Sequence, residues 1–561
     1  MSYQGFKYQG EKYYTLEQLT NRIYNVEYQE NTNTPTFDVN AEQIGDNKWK
    51  ITISNIQYDG YIDKWQVKYQ LEGQEYWNSS DNLEFITNEE GIYKITINNG
   101  NIASSEKNLA VGVEELTPED SSATELSQML YGVIETKFLS GTNYIATETP
   151  NEPILKDGMK AVYWAKDSSG DIDTSNPANN TYEITSDDSN FKKENWYRYV
   201  AQNTSTEAGG SSRWANAMTS DGSYYVWIPR YGYRILYFDT EEHENAYRAG
   251  TLTEEEALAN NYIVGYSDAR GIVDKDGKKP TSVISTTAIS INDKKLRTHP
   301  VFDGNVDEGG WDSKLAGIWV MKYEASRNDS TADSTGSGTI PKSVPGVKSW
   351  KSTTEIGDMF TYAKNAYNNG ETLNTTLNSH MMKNSEWGAI AYLTDSKYGR
   401  NGTEITINNN SLFLTGNAGD TISADRSSTT NAYNTALGMR ASTTGNIYGI
   451  YDLSGGTWEY VAGYYKDGDV SIASVFATGI SDEYSTAYSG TDVSSNYILG
   501  DATYETKGWN SDSCAFVSQS SPLFVRGGGY YNVHLAGIFF YYNDVASSGN
   551  GNTFRICLCI I

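Results

Sequence analysis

The sequence predicts an α+β protein: a small β-sandwich followed by a large, loop-rich domain of short strands and few helices. Three observations carry this. Residues 31–113 alternate apolar and polar side chains with period two, the pattern of half-buried strands. Residues 150–561 are dense in Trp, Tyr, Gly and Asn and hold only brief apolar runs. Of 561 residues, 44 are Tyr, 15 Phe and 13 Trp, far more aromatics than a disordered chain carries. Aliphatic content is low, so Tyr and Trp must supply much of the core.

The elements follow in order. Residues 1–30 are a polar, Tyr-rich segment with a helical pattern at Leu16–Arg22. In 31–113, Trp49, Ile51 and Ile53 alternate with polar residues, as do Val67, Tyr69 and Leu71, Tyr93, Ile95 and Ile97, and Leu109, Val111 and Val113. Turn signals such as Asp59-Gly60 and Asn99-Gly100 separate them. Short alternating strands over eighty-odd residues fit an immunoglobulin-like sandwich, and with no motif of its own this module reads as a spacer. In 114–149, Thr117-Pro118-Glu119-Asp120 is a helix-start signal. Leu126, Met129, Leu130 and Val133 then fall at helical spacing, which predicts a linker helix. Within 150–561 the helix candidates are Glu254–Asn260 and Thr354–Tyr367, and Ser326–Gly338 reads as an exposed loop. At roughly 410 residues this domain exceeds the usual size, so a subdivision near residue 300 stays open.

The net charge of −28 argues against nucleic acid and anionic membrane surfaces, because phosphate is repelled. No stretch is apolar enough to span a bilayer, and no secretory signal is visible at Met1–Tyr8. Three cysteines, Cys514, Cys557 and Cys559, are too few for a disulfide scaffold. Cys557 and Cys559 would share one face of a strand and read as buried small side chains. No further ligand stands near them in sequence, so no metal site and no cofactor is expected. Of four histidines, His243 falls in an acidic run that reads as solvated surface, and His299 reads as a packed loop residue. The common catalytic and phosphate-binding signatures are absent, and Asp-rich turns such as Asp167–Asp173 lack calcium-loop spacing. No catalytic residue is assigned.

The C-terminus has a distinct composition. Tyr530, Tyr531, Asn532 and His534 precede Phe539-Phe540-Tyr541-Tyr542-Asn543-Asp544, then Ser547, Ser548, Asn550 and Asn552. Tyr with Ser, Gly and Asn is the composition of binding loops: large contact area at low entropic cost, with adaptable hydrogen bonding. A core strand followed by a polar turn explains it equally well. Four consecutive aromatics cannot share one face of a strand, so some must be exposed or cover another surface.

Several motifs carry a family likeness. The segment Gly445–Tyr460, with Gly455-Gly456-Thr457-Trp458-Glu459, resembles the core motif of the formylglycine-generating-enzyme-type C-type lectin fold. Asn384–Ala389 resembles its upstream helix, and Gly317–Glu324 a strand near its start. Arg526-Gly527-Gly528 and Phe554-Arg555 resemble its two closing elements. Together they cover about 240 residues, from Gly317 to Ile561. Trp214–Ala217, Asp221–Ser223 and Val226–Tyr231 resemble an N-terminal extension of bacterial members.

Two functions use this fold. The enzymes carry a cysteine pair between the closing elements, and residues 529–553 hold none. Gly456 stands where the enzymes carry Asn, which weakens a calcium site. The other group comprises the variable proteins of diversity-generating retroelements. Their frame matches Arg526-Gly527-Gly528, seven residues, Ala536-Gly537, sixteen residues, Phe554-Arg555. The resemblance implies a non-enzymatic ligand-binding protein, with variable region 526–556 and binding residues Tyr530, Tyr531, His534, Phe540, Tyr542, Asn543, Asp544, Ser547, Ser548, Asn550 and Asn552. It implies a protein or glycan ligand on a target cell surface, no membrane insertion, and a place on a bacterial surface or phage particle; related proteins sometimes trimerise. On this reading Trp319, Trp387 and Trp458 are core, and Gly527, Gly528 and Gly537 permit tight turns or close approach. Tyr530, Tyr531 and Tyr542 are exposed neighbours, and Arg555 is buried. The competing classes are a formylglycine-generating-type oxidase or inactive homologue, and a structural tail or surface component.

Overall fold

A computed structural model of the chain describes residues 6–8, 12–14, 35–45, 48–58, 65–71, 74, 76–89, 91–98, 103–104, 107–111, 130–140, 145–165, 181–186, 191–192, 196–201, 212–268, 271–274, 288–291, 294–326, 341–350, 356–367, 377–419, 431–467, 482–544 and 552–560. The helical pattern at 16–22, the helix-start signal at 117–120, the turns at 59–60, 99–100 and 167–173, and nearly all of the 326–338 loop lie outside them. Strands dominate and helices are few, a mixed composition compatible with the α+β class. The chain divides into two units, Met1–Glu119 and Asp120–Ile561.

In the first unit the alternating pattern forms two antiparallel sheets. One orders Thr36–Gly45, Lys48–Gln57 and Glu84–Thr87; the other orders Asn78–Ser80, Gln66–Leu71, Gly91–Asn98 and Lys107–Val111. Trp49, Ile51, Ile53 and Phe85 from the first sheet share one core with Val67, Tyr93, Ile95, Ile97 and Val111 from the second. Strands such as Lys48–Gln57 and Gly91–Asn98 turn alternate residues inward, as period two requires.

Among the described residues the second unit holds three larger sheets. The first runs Ile145–Thr147, Gly132–Ser140, Tyr231–Phe238, Ile263–Asp268 and Gly271–Asp274, with Lys294–Thr298 also pairing Tyr231–Phe238. Of the linker-helix positions, Leu126 and Met129 lie outside the described residues, whereas Val133 lies in a strand paired along its length with Tyr231–Phe238. The segment Gly132–Ser140 buries residues on both faces, so its apolar positions mimic a helical stripe, and tertiary pairing outweighs the local signal. The second sheet orders Thr181–Thr185, Met159–Ala165, Asn216–Thr219, Tyr224–Pro229, Gly317–Met321, Ile556–Leu558 and Ser379–Met381. The C-terminal strand thus inserts between segments about 240 and 180 residues upstream. The third sheet orders Thr486–Tyr488, Glu459–Tyr465, Leu523–Arg526 and Tyr541–Asp544, with Thr553–Phe554 pairing parallel to Glu459–Tyr465.

Two predicted helices form, Glu254–Ala259 and Ile356–Asn365. The first starts on a capping box between Thr253 and Glu256. A third helix, Asn384–Asp395, is buried at every residue. It is pressed so closely that a Cβ on Gly388 would meet the Gly500 carbonyl oxygen at 1.9 Å. No further division near residue 300 appears in the second unit.

Candidate binding face

The motifs scattered along the sequence converge on one buried guanidinium. Arg555 is fully buried and holds Glu459 through two nitrogens, at 2.6 and 3.0 Å. It also donates to the carbonyls of Met321 at 2.9 Å and Tyr451 at 3.0 Å. One side chain thereby ties the 317–321 strand, the 445–460 loop and the closing strand together. The bidentate geometry suits guanidinium and carboxylate. Around it, burial and then the neighbouring Asp452 push Glu324 well above its ordinary range, and burial lifts Asp452 to about 6. Trp319 and Trp387 are buried, as expected. The Trp387 indole donates to the Ile538 carbonyl at 2.7 Å, pinning the approach to the 541–544 strand to the buried helix.

Above this frame, Gly527 and Gly528 take φ of 78° and 71° and turn the chain out of its strand. Those dihedrals are costly for any residue with a Cβ. At Gly537 the constraint is close approach, since a Cβ there would lie 2.2 Å from Asp512 Oδ1. The loop between is fixed by Asn532, whose Oδ1 accepts from the Trp458 indole and from the Gly529 amide, both at 2.7 Å. The Tyr530 amide donates to the Gly456 carbonyl at 2.9 Å.

On this loop Tyr531 is 51% exposed, Leu535 37% and, on the adjoining strand, Tyr542 41%. His534 is exposed and Tyr530 half-buried. The rings of Tyr531 and Tyr542 lie 6.2 and 6.0 Å from that of Trp458, and Tyr530 and Tyr531 meet edge to face at 5.3 Å. Trp458 is itself only half-buried. It was expected in the core but instead forms the floor of an aromatic patch.

Three expected face residues are buried. Phe540 is 1% exposed because the 541–544 strand and its approach alternate: Phe539 and Tyr541 enter one core, and Phe540 enters another with Val525 and Phe554. Asp544 is buried as the acceptor of the Tyr460 hydroxyl at 2.7 Å and of the Asn552 amide at 2.9 Å. Asn552 is buried with it for the same reason. A buried carboxylate needs such donors. Asn543 is half-buried, its amide donating to the Phe516 carbonyl at 2.7 Å. Ser547, Ser548 and Asn550 lie outside the described residues.

The face also has members that the sequence pattern did not single out. Phe413 packs edge to face on Tyr530 at 5.2 Å, and Leu412 beside it is 44% exposed. Phe413 has φ 58° and Val533 φ 55°, an unfavourable conformation for bulky and β-branched residues. Two such outliers flank the patch, and strain of this kind collects at functional sites. Only the run Asn408-Asn409-Asn410 before Leu412 hints at a turn in the sequence.

The histidines behave as read, with one exception. His299 is buried, its Nε2 2.8 Å from the Gly500 carbonyl, and burial pushes it down to about 3. His243 is half-buried and stacks on Tyr262 at 3.5 Å rather than standing free in solvent. The expectation that Cys557 has no ligand-type neighbours fails: His380 and Glu386, distant in sequence, lie beside it. Strand pairing of Ser379–Met381 with Ile556–Leu558 brings them together. Cys514, Cys557 and Cys559 are free thiols, each raised above its ordinary value by burial. No described helix is long and apolar enough to cross a membrane. Comparison with protein-family models and with curated proteins finds no match to this chain.

Proposed function

We propose that the chain is a non-catalytic ligand-binding protein of receptor or adhesin type. On this reading the second unit is a C-type lectin-like scaffold of the formylglycine-generating-enzyme type. It is diversified between Arg526 and Phe554 in the manner of a retroelement variable protein. The first unit is an immunoglobulin-like spacer. The observation that carries the proposal is the aromatic patch: Tyr531 and Tyr542, exposed and laid on Trp458, whose indole is held by Asn532. Anchored tyrosines lose little entropy on binding, and a rigid loop lowers the ordering cost. The partner is a protein or glycan on a cell surface, and the setting a bacterial surface or phage particle.

The binding residues on this reading are Tyr530, Tyr531, His534 and Tyr542, with Asn543 at the margin and Leu412 and Phe413 as an invariant rim. Replacing Tyr531 and Tyr542 with Ala should abolish binding to cells or glycan arrays and leave the melting temperature unchanged. Binding that survives both changes overturns the face. The diversification claim has its own test: sister genes should differ almost wholly at adenine-containing codons within 529–553, beside a reverse transcriptase and a template repeat. A structural tail or surface component predicts no such variation. An oxidase predicts thiol-dependent turnover that is lost in Cys514→Ser.

A further inference from the structure

The second unit contains a buried group of metal-ligand side chains that the binding face does not use. His380, Glu386 and Cys557 each offer one ligand atom, all within 4.8 Å of one another, and all three residues are buried. They come from three elements. His380 and Cys557 face each other across the antiparallel pair Ser379–Met381 and Ile556–Leu558, so their side chains emerge on the same face. Glu386 comes from the first turn of the buried 384–395 helix, where Oε2 also accepts the Lys383 amide at 2.9 Å.

The hydrogen-bond accounting at His380 is the informative part. Its Nδ1 lies 2.5 Å from the Asn378 carbonyl, and its Nε2 lies 3.0 and 3.1 Å from the two oxygens of Glu386. A carbonyl only accepts, so Nδ1 carries the hydrogen. In the neutral ring Nε2 then directs its lone pair at a carboxylate, and two acceptors cannot face each other without a positive centre between them. A proton between Nε2 and Glu386 satisfies that need, with the Cys557 thiol hydrogen-bonded to the same carboxylate. A metal ion satisfies it with all three groups, taking Cys557 as the thiolate. The Nδ1–H bond to a backbone carbonyl is the arrangement that orients a histidine binding metal through Nε2.

We propose that His380 Nε2, Glu386 and Cys557 Sγ bind a single structural zinc ion. Donors around tetrahedral zinc lie about 3.3–3.8 Å apart, given bond lengths of about 2.0–2.3 Å, so the group needs only small side-chain adjustments. A buried nitrogen, oxygen and sulfur set suits this redox-inert cation. Cys559, two residues further on, is also buried but lies outside the group of three, so the group itself supplies three donors. Zinc entry releases the Cys557 thiol proton and the one shared by His380 and Glu386. One thiolate and one carboxylate then balance the charge of the dication. The site would clamp the closing strand to the helix from below and does not depend on the ligand-binding proposal.

The test uses the purified full chain. Mass spectrometry of metal content should find about one equivalent of zinc per chain after dialysis, retained in Cys514→Ser and lost in Cys557→Ser and His380→Gln. Refolding wild-type chain in Co(II) should give a thiolate-to-cobalt charge-transfer band. Because the variants can fail to fold, the wild-type chain supplies the decisive arm: chelator added during refolding should lower its melting temperature, and zinc should restore it. A folded wild-type chain with background metal, no cobalt band and no response to chelator overturns the proposal, and the group is then a proton-sharing hydrogen-bond network.

Discussion

Tyr531 is 51% exposed and Phe540 1%, although both belong to the same aromatic stretch between the two closing elements. The loop at 529–535 leaves the sheet through two left-handed glycines and returns at Gly537, so its side chains project from an arc. The strand reached after Gly537 pairs with Leu523–Arg526 and must alternate, which drives Phe539 and Tyr541 into one core and Phe540 into the other. Aromatic rings therefore serve opposite ends. Backbone path, not residue type, separates the ring that touches a partner from the ring that holds the domain together.

The largest effects are expected on the strand side. Phe540→Ala should destabilise the second unit by about 3–5 kcal/mol, as large cavities in cores do. Arg555→Met should cost a similar amount, about 3–5 kcal/mol, because it strands the buried Glu459 carboxylate. Denaturant unfolding followed by tryptophan fluorescence measures both, and a loss no larger than that of an exposed residue would place Phe540 on the face after all.

An intermediate effect is expected where loop and frame join. Asn532→Ala removes the acceptor shared by the Trp458 indole and the Gly529 amide, and leaving such donors unmet costs about 1–3 kcal/mol. Hydrogen exchange should quicken through 529–535 and stay slow in 541–544. Equal change in both segments would show that the loop is not a separate unit.

The frame should also respond to pH. Burial lifts Asp501 and Asp452 to about 6, so the folded state holds protons that the unfolded state has released. Stability from these groups is present below the ordinary carboxylate range and is lost as pH rises from about 4 to 6. Asp501→Asn should flatten that part of the melting-temperature profile, and an unchanged slope would assign it elsewhere. The smallest effect is expected on the face: Tyr531→Ala and Tyr542→Ala should each alter stability by no more than about 0.5 kcal/mol, as exposed sites do.

Much of the fold was legible in particular residues. Period two in Trp49, Ile51 and Ile53, and again in Tyr93, Ile95 and Ile97, located strands because one buried face imposes alternation. The Thr253 and Glu256 pair marked a helix start because capping is local chemistry. The helical spacing that ends on Val133 misleads because a strand buried on both faces loses its alternation, and only pairing with 231–238 distinguishes it from a helix. Of the candidate face, Tyr531, His534 and Tyr542 project as expected. Phe540, Asp544 and Asn552 could not be separated from them by composition, since tyrosines and asparagines serve equally as contacts and as core hydrogen-bond partners.

The sequence by itself determined that aromatics would carry this protein. With 72 such residues, Tyr and Trp had to share the core with the aliphatics, and the glycines at 527, 528 and 537 marked where the backbone had to turn or approach closely. What only the tertiary structure decided is which aromatics are spent inside, and which distant groups become neighbours. Trp458 is a floor rather than a core residue because two exposed tyrosines lie on it. Leu412 and Phe413 join the face from over a hundred residues away. His380, Glu386 and Cys557 meet because the last strand inserts beside Ser379–Met381. Local pattern specifies the conformation of a segment, whereas contacts between segments far apart depend on the path of the whole chain.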